Sequence, residues 1–120
     1  DSLVKEKKLP FPDLVKIDVE GAEWSVFRGM TKYHGMLTFE WTQETISEHQ
    51  KQIDYLKNLG YKQVCPQFIE HHLTDPKIWI DINNFDMLQW IKENSLAWVN
   101  GDWKSSGLRP TADVGMCWVK

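Results

Sequence analysis

Short apolar runs and stretches of helical periodicity alternate along this chain, as they do in α/β proteins. The run that contains Leu14, Val15, Ile17 and Val19 has the β-branched character of a strand buried on both faces, and Gly21 follows where the backbone must turn. We therefore predict the α/β class. The pattern predicts, in order, a strand over residues 13–19, a helix over 22–30, a strand over 36–41, a helix over 46–59, and strands over 61–66 and 112–120.

The predicted helix over residues 46–59 has recognisable signals at both ends. Thr45 or Ser47 is a candidate N-cap, and Gly60 stands where a helix commonly stops. The apolar residues recur at helical spacing and predict one face that packs on the core: Ile46, Ile53, Leu56 and Leu59.

Residues 67–111 form a long connection between the third and fourth predicted strands. Connections of this length usually have a function or contain secondary structure of their own. We predict a helix over residues 85–94 with Asn83 or Asn84 as its cap, and we interpret the whole connection as an insertion. Two roles stay open for it: covering the substrate site, or covering the edge of the sheet.

Tryptophan is abundant, with seven in the chain, and four of them lie in this connection: Trp79, Trp90, Trp98 and Trp103. Aromatic rings bury large areas and dominate the energetics of small cores. Exposed tryptophans also form the platforms on which sugars stack. The sequence leaves both interpretations open.

Composition narrows the class of protein. The chain has 120 residues, 42% hydrophobic and 26% charged, which predicts a single folded domain over residues 1–120. The formal net charge is -3 and the lysines are spread from Lys5 to Lys120, so we expect no nucleic-acid partner. No apolar run approaches the roughly 18 residues needed to cross a membrane.

The two cysteines, Cys65 and Cys117, lack the spacing of a zinc or redox motif, and we predict that both are buried thiols.

Carboxylates follow the first two predicted strands. Asp18 and Glu20 end the first strand and, on a continuing strand, would point to the same side, while Glu40 lies at the end of the second. Ligands of open α/β sheets bind at the carboxyl ends of strands, and a carboxylate there can remove a proton from a hydroxyl group. We predict Asp18, Glu20 and Glu40 as catalytic residues; the alternative for Asp18 or Glu20 is that it accepts backbone N–H bonds which hold the strand-to-helix turn. We expect Glu23 to stabilise the start of the following helix, with Lys16 or Arg28 as its candidate ion-pair partner.

The same region resembles the signature of the FkbM-type methyltransferases, which are S-adenosylmethionine-dependent O-methyltransferases with a Rossmann-like fold. The matching residues are 15–23 (Val-Lys-Ile-Asp-Val-Glu-Gly-Ala-Glu), 26–29 (Val-Phe-Arg-Gly) and the strand over 36–41 that ends in an acid. The resemblance implies a sheet of mostly parallel strands with one antiparallel last strand, in the spatial order first, second, fourth, third. It also implies S-adenosylmethionine as cofactor and a hydroxyl acceptor on a sugar or another small metabolite.

The resemblance covers only part of such a domain. Rossmann-like methyltransferases hold the cofactor mainly through a glycine-rich turn after their first strand, and no strand with such a turn precedes Asp13. We therefore expect the C-terminal portion of a domain, with roughly 80 to 100 further residues upstream. No cofactor-binding residue is predicted within the chain. The first strand would then expose an edge, through which the isolated chain could self-associate.

Three rival interpretations remain. Asp18, Glu20 and Glu40 have the oxygen ligands that a hard cation prefers, but three acids alone do not establish a metal site and we predict none. Glu20 and Glu40 could be the acid pair of a glycosidase, or the chain could be a non-catalytic module that binds a glycan or a protein.

The adjacent residues His71 and His72 favour surface or packing roles, and His34 and His49 carry still less signal for a functional site. For a methyltransferase we expect a cytoplasmic location, which would keep cysteines reduced.

Overall fold

A computed structural model describes residues 1–42, 45–68, 77–94, 98–99, 102–103 and 114–120. Helices and strands alternate through most of the described chain, which confirms the α/β class. The helices are α1 (Ser2–Glu6), α2 (Glu23–Arg28), α3 (Ile46–Asn58) and α4 (Met87–Asn94). The strands are β1 (Leu14–Ile17), β2 (Met36–Thr42), β3 (Gln63–Phe68), β4 (Ile80–Asp81), β5 (Trp98–Val99), β6 (Asp102–Trp103) and β7 (Val114–Val119).

Five of these strands form one sheet in the order β1-β2-β7-β3-β4. The predicted order of the four main strands is therefore confirmed, with β7 inserted antiparallel between β2 and β3. The prediction of a mostly parallel sheet holds only in part, because β1 with β2 is the parallel pair and the other three neighbouring pairs are antiparallel. The strand β4, which was not predicted, adds one of those antiparallel pairs.

One face of the sheet carries the core. In β2, Leu37, Phe39 and Trp41 are fully buried and point to the same face, because alternate residues of a strand share a face. Phe27 of α2 meets Phe39 edge-on with ring centroids 5.1 Å apart, and Trp90 of α4 meets Trp41 at 6.0 Å. The helices α2, α3 and α4 therefore cover this face. The predicted apolar face of α3 is confirmed for Ile46, Ile53 and Leu56, with Leu59 partly buried.

The first strand differs from its prediction in length and burial. β1 ends at Ile17, two residues earlier than predicted, and only Ile17 is buried in it. Leu14 is 52% exposed, so the strand is not buried on both faces. The reason is its position at the edge of the described sheet, with the helices packed on one side only. Because the strand stops, Asp18 and Glu20 do not continue it, and the prediction that they share a strand face is wrong.

The last strand is buried more completely than its alternating sequence predicted. Gly115, Met116, Cys117 and Val119 are all buried, since β7 lies between two neighbouring strands. Both cysteines are free, buried thiols, as predicted. The register sets Cys65 opposite Trp118. Paired residues of an antiparallel ladder share a face, so the two thiols point to opposite faces of the sheet.

The helix α4 begins two residues later than predicted, and its cap is different. Asp86 precedes the first turn and its carboxylate accepts the backbone N–H of Gln89 at 2.7 Å, which is the bond of an N-cap residue. Asn83 and Asn84 instead belong to a 3₁₀ turn that Asp81 caps through the backbone N–H of Asn83 at 2.8 Å. The predicted asparagine cap is therefore wrong, because Asn83 and Asn84 lie inside the 3₁₀ turn that precedes the helix.

The assignment of residues 67–111 as an insertion stays a prediction, because parts of it lie outside the described residues. Within it, β5 and β6 form an antiparallel pair with Trp98 opposite Trp103. Trp90 packs against the core, and Lys120 lies over the ring of Trp79 at 4.1 Å. Trp90 therefore fits the packing interpretation, whereas Trp79 is half-buried and is not part of the core cluster.

Candidate functional site

A cavity of about 420 Å³ opens beside the carboxyl ends of β1 and β2. This is the edge at which α/β sheets bind ligands. The side chains and backbone that line it come from the turn after β1, the end of β2 and the start of α3: Glu20, Gly21, Glu23, Glu40, Thr42, Thr45 and His49. Two of the three predicted catalytic residues, Glu20 and Glu40, therefore meet at one cavity.

The turn between β1 and α2 has an unusual backbone. Glu20 and Gly21 have φ values of 49° and 96°, in the left-handed region that glycine adopts readily and glutamate does not. Glu23 holds this turn, since its Oε1 accepts the backbone N–H of Gly21 at 3.2 Å and that of Val19 at 3.4 Å. Its side chain is buried, with 4% of its surface exposed. Glu23 thus stabilises the helix start through hydrogen bonds to the backbone of the turn, and not through the predicted ion pair with Lys16 or Arg28.

Glu40 lies in surroundings that disfavour its charged form. It is half-buried at the end of β2. Burial raises the pKa of its carboxyl, and the carboxylates of Asp18, Glu23 and Glu20 raise it further, while Lys16 partly offsets them. Glu40 therefore holds a proton more readily than an ordinary glutamate, which is a property of many catalytic acids and bases.

Asp18 has a different setting. Its carboxylate pairs with the Lys16 ammonium at 2.9 Å, and both side chains are about half exposed. Asp18 is not among the described residues that line the cavity, although it lies near enough to raise the pKa of Glu40. The structure thus brings Glu20 and Glu40 together and leaves Asp18 beside them with a cationic partner.

Sequence reasoning missed the polar wall that α3 contributes. Thr45 occupies the N-cap position of α3, as predicted, but its side chain makes no cap bond. Its hydroxyl lies 2.7 Å from Nε2 of His49 and 2.9 Å from the hydroxyl of Thr42. His49 is buried, which lowers the pKa of its imidazole. The only sequence signal was a threonine four residues before a histidine at a helix start, which is common in proteins without such a site.

The remaining candidates add little to the site. His71 and His72 lie outside the described residues. His34 is buried far from the cavity, where its backbone N–H contacts the hydroxyl of Tyr61 at 3.4 Å. In the described part of the chain, no three His, Cys, Asp or Glu side chains come together in a way that would hold a metal ion. No helix within those same ranges is long and apolar enough to cross a membrane.

The comparison with protein families decides the affiliation of the chain. The model of the Methyltransferase FkbM domain matches residues 1–95. The chain belongs to the FkbM methyltransferase family. No curated protein and no solved structure matches it with significance. The FkbM match includes the turn after β1, the end of β2 and the start of α3, so the whole lining of the cavity lies inside the matched region.

Proposed function

We propose that the chain is the acceptor-side part of an S-adenosylmethionine-dependent O-methyltransferase domain with a Rossmann-like fold. The cavity would hold the hydroxyl that receives the methyl group, on a sugar or another small metabolite. One observation carries the proposal: Glu20 and Glu40 meet at a cavity beside the carboxyl ends of two strands, in a chain of the FkbM family. The same family match favours methyl transfer over glycoside hydrolysis.

The chemistry of the cavity fits a cationic cofactor. S-adenosylmethionine supplies, when bound, a methyl group on a positively charged sulfonium. The carboxylates of Glu20, Glu23 and Glu40 line the cavity, and no Lys or Arg is among its described lining residues. Such a site attracts positive charge, and Glu20 and Glu40 would hold the sulfonium by electrostatic attraction. The glycine-rich turn that usually holds the rest of the cofactor does not occur before β1 in the sequence, so we assign no further contact.

Glu40 is the best candidate for the general base. Burial, followed by the nearby carboxylates of Asp18 and Glu23, raises its pKa, and a base becomes stronger as its pKa approaches the working pH. Glu40 would take the hydroxyl proton while the acceptor oxygen bonds to the methyl carbon and the bond from that carbon to the sulfonium sulfur breaks, which would leave a neutral ether, the neutral thioether S-adenosylhomocysteine and a protonated Glu40. Glu20 would orient the acceptor. Asp18 stays a predicted catalytic residue, and its pair with Lys16 favours an electrostatic role at the rim.

Methyl transfer by the full-length product of the gene tests the proposal. With labelled S-adenosylmethionine and a panel of sugar and small-molecule alcohols, Glu40→Gln should lower kcat by about 10²-fold to 10⁴-fold, the usual contribution of a positioned base. Glu48→Gln, on the exposed surface of α3, is the matched control and should keep kcat. An unchanged kcat in Glu40→Gln would remove Glu40 from the mechanism. If calorimetry detects no binding of S-adenosylmethionine or S-adenosylhomocysteine, the function itself is wrong.

A non-catalytic module that binds a glycan or a protein is the competing function. It would use exposed tryptophans, and it has less support because Trp90 packs with Phe68 and Trp41 in the core. Sugar binding without any cofactor binding by the full-length protein would favour it. We also propose a cytoplasmic location, since two free buried cysteines suit a reducing compartment, and cell fractionation tests it.

A further inference from the structure

A chain of hydrogen bonds runs along one wall of the cavity. The hydroxyl of Thr42 lies 2.9 Å from that of Thr45, which lies 2.7 Å from Nε2 of His49. On the far side of the ring, Nδ1 of His49 lies 2.9 Å from Oε1 of Gln52. His49 and Gln52 are each 2% exposed, so the inner half of this chain is shielded from water.

The direction of every bond in the chain follows from one contact. The backbone N–H of Thr42 points at Nε2 of His49 at 3.1 Å, and an N–H can only donate. Nε2 must therefore be an acceptor without a proton, and Nδ1 carries the proton of the neutral ring and donates it to Gln52. Burial also favours the neutral ring, because it lowers the pKa of His49.

The protonation of the His49 ring also sets the direction of the hydrogen bonds made by the Thr45 and Thr42 hydroxyls. Nε2 has one lone pair, which the Thr42 N–H and the Thr45 hydroxyl share. An oxygen 2.7 Å from an unprotonated nitrogen must place its own proton between them, so Thr45 donates to Nε2 and its oxygen accepts from Thr42. The Thr42 hydroxyl then donates its proton to Thr45, so the Thr42 oxygen can only accept hydrogen bonds from a ligand in the cavity. The backbone N–H of Gly21, which also belongs to the lining, is already bonded to Glu23. The hydroxyl protons of Thr42 and Thr45 and the N–H of Gly21 are thus in use, and the side chains of Thr42, Glu20 and Glu40 offer a ligand acceptors.

The spacing of these acceptors suits two neighbouring hydroxyl groups. Glu40 and Thr42 are two residues apart in β2, so their side chains leave the same face about 7 Å apart. A pair of adjacent hydroxyls that donates one hydrogen bond of about 2.8 Å to each of them can bridge that distance. A phosphate or carboxylate group on the ligand would have no proton to donate to these acceptors and would be repelled by the carboxylates of Glu20, Glu23 and Glu40.

We propose that the His49 chain makes this cavity selective for a neutral polyol, in which adjacent hydroxyls donate to Thr42 and Glu40, and against phosphorylated or carboxylated sugars. This inference rests on the proposed function and names the class of its acceptor. Thr42 would contact the substrate, whereas His49 is a positioning residue that acts through Thr45.

The premise about His49 is tested directly by nitrogen NMR. A long-range proton–nitrogen spectrum of the chain at neutral pH should show His49 as the neutral ring with its proton on Nδ1. A proton on Nε2, or a doubly protonated ring, would overturn the inference, because Thr45 would then have to accept and Thr42 could donate to a ligand.

Selectivity is tested by following the amide signals of Thr42 and Thr45 during titration with three probes: methyl α-D-glucopyranoside, glucose 6-phosphate and glucuronate. We expect the neutral glucoside to bind at least about tenfold more tightly than either anion. Thr42→Val, which keeps the branched shape, should weaken glucoside binding about fivefold to tenfold, the usual effect of one hydrogen bond. Thr42→Ser keeps the hydroxyl and should bind like the unaltered chain.

Equal or tighter binding of an anion, no binding of the glucoside up to its solubility limit, or unchanged binding in Thr42→Val would each overturn the inference. The outcome is separable from that of the proposed function. Methyl transfer by the full-length protein with no effect of Thr42→Val on KM would leave the function standing and remove the inference. Selective glucoside binding that depends on Thr42, without any cofactor binding, would do the reverse.

Discussion

At the scale of single residues, Gly115 leaves space that its neighbours fill. It pairs with Trp41 across β2 and β7, and the Trp41 indole donates to the carbonyl oxygen of Gln67 at 3.2 Å. A Cβ at position 115 would lie 2.6 Å from two atoms of the Trp41 ring and would also collide with the Gln67 carbonyl. Neither a buried indole nor strand backbone can move aside cheaply. The glycine is therefore a packing requirement of the sheet.

We predict that Gly115→Ala lowers the free energy of unfolding by about 3 kcal/mol or more, at the upper end of what overpacking costs. Denaturant unfolding followed by tryptophan fluorescence measures it. Gly29→Ala is the control, because Gly29 has an ordinary helical φ of -80° and its nearest contact to an added Cβ would be 3.3 Å. The control should change stability by less than about 1 kcal/mol. Similar losses in both variants would contradict the packing argument.

Glu40 gives a prediction about pH. Its pKa in the folded chain is raised above the usual value of 4.5 by burial and by its acidic neighbours. The folded state therefore favours protonated Glu40, which contributes stability below pH 4.5, and this contribution is lost as the pH rises through the higher folded pKa. Glu40→Gln cannot ionise, so it should be more stable than the unaltered chain at neutral pH.

Thermal unfolding across pH 4 to 8 measures this difference. The gain in melting temperature of Glu40→Gln should shrink as the pH falls and vanish below the usual glutamate pKa of 4.5. Glu48→Gln is the matched control: Glu48 lies in the first turn of α3, where a negative charge is mildly stabilising, so its removal should lower stability slightly at neutral pH. A gain in Glu40→Gln that does not depend on pH would rule out ionisation as its cause.

The candidate site shows which residues sequence can predict. Glu20 and Glu40 were found because carboxylates at strand ends have a local signature. The role of Glu23 was missed because it depends on the left-handed backbone at Glu20, a conformation that glutamate rarely adopts. His49 was missed for another reason: its significance comes from contacts with Thr42 and Thr45, and a threonine four residues before a histidine is too common a pattern to indicate a site.

At the scale of elements, α4 depends on a cap that sequence placed wrongly. Asp86 accepts the N–H of Gln89, and Gln50 of α3 accepts the N–H of Met87 at 2.9 Å. We predict that Asp86→Ala lowers the free energy of unfolding by about 1 kcal/mol, the usual cost of a lost N-cap. Asn84→Ala, at the predicted but incorrect cap position, should stay within about 0.5 kcal/mol.

Hydrogen exchange locates the effect of the cap. Faster exchange of the α4 amides in Asp86→Ala, with β2 and β7 unchanged, is expected because the cap is local to one helix. If Asn84→Ala has the larger effect, the cap lies where the sequence placed it.

Element types were predicted better than element ends, and β1 and α3 show why. Both ends of α3 were close to the prediction, because helical periodicity and Gly60 act within one segment. β1 was predicted too long because Val19 extends the apolar run, but the turn that Glu23 holds ends the strand at Ile17. The short strand β4 has only two residues, too few for any periodicity to reveal.

At the scale of the whole molecule, the sheet of the described chain ends in two different edges. β4 is two residues long, which protects that edge from pairing with another chain. β1 lies at the other edge with four residues, and exposed apolar side chains surround it: Leu14 is 52% exposed and Phe11 is 55% exposed. An apolar edge strand offers unpaired backbone groups to a second copy. We therefore propose that the isolated chain self-associates through β1.

Leu14→Lys tests this, because a lysine on an edge strand opposes pairing with another edge by charge and by the loss of apolar contact. Sedimentation velocity over a range of concentrations should show the unaltered chain shifting to larger species and Leu14→Lys remaining a monomer. Leu88→Lys introduces the same charge at an apolar residue of α4 that is 39% exposed, away from the edge, and should associate like the unaltered chain. If Leu88→Lys also becomes monomeric, net charge rather than the β1 edge controls association, and an unaltered chain that is monomeric throughout removes the proposal.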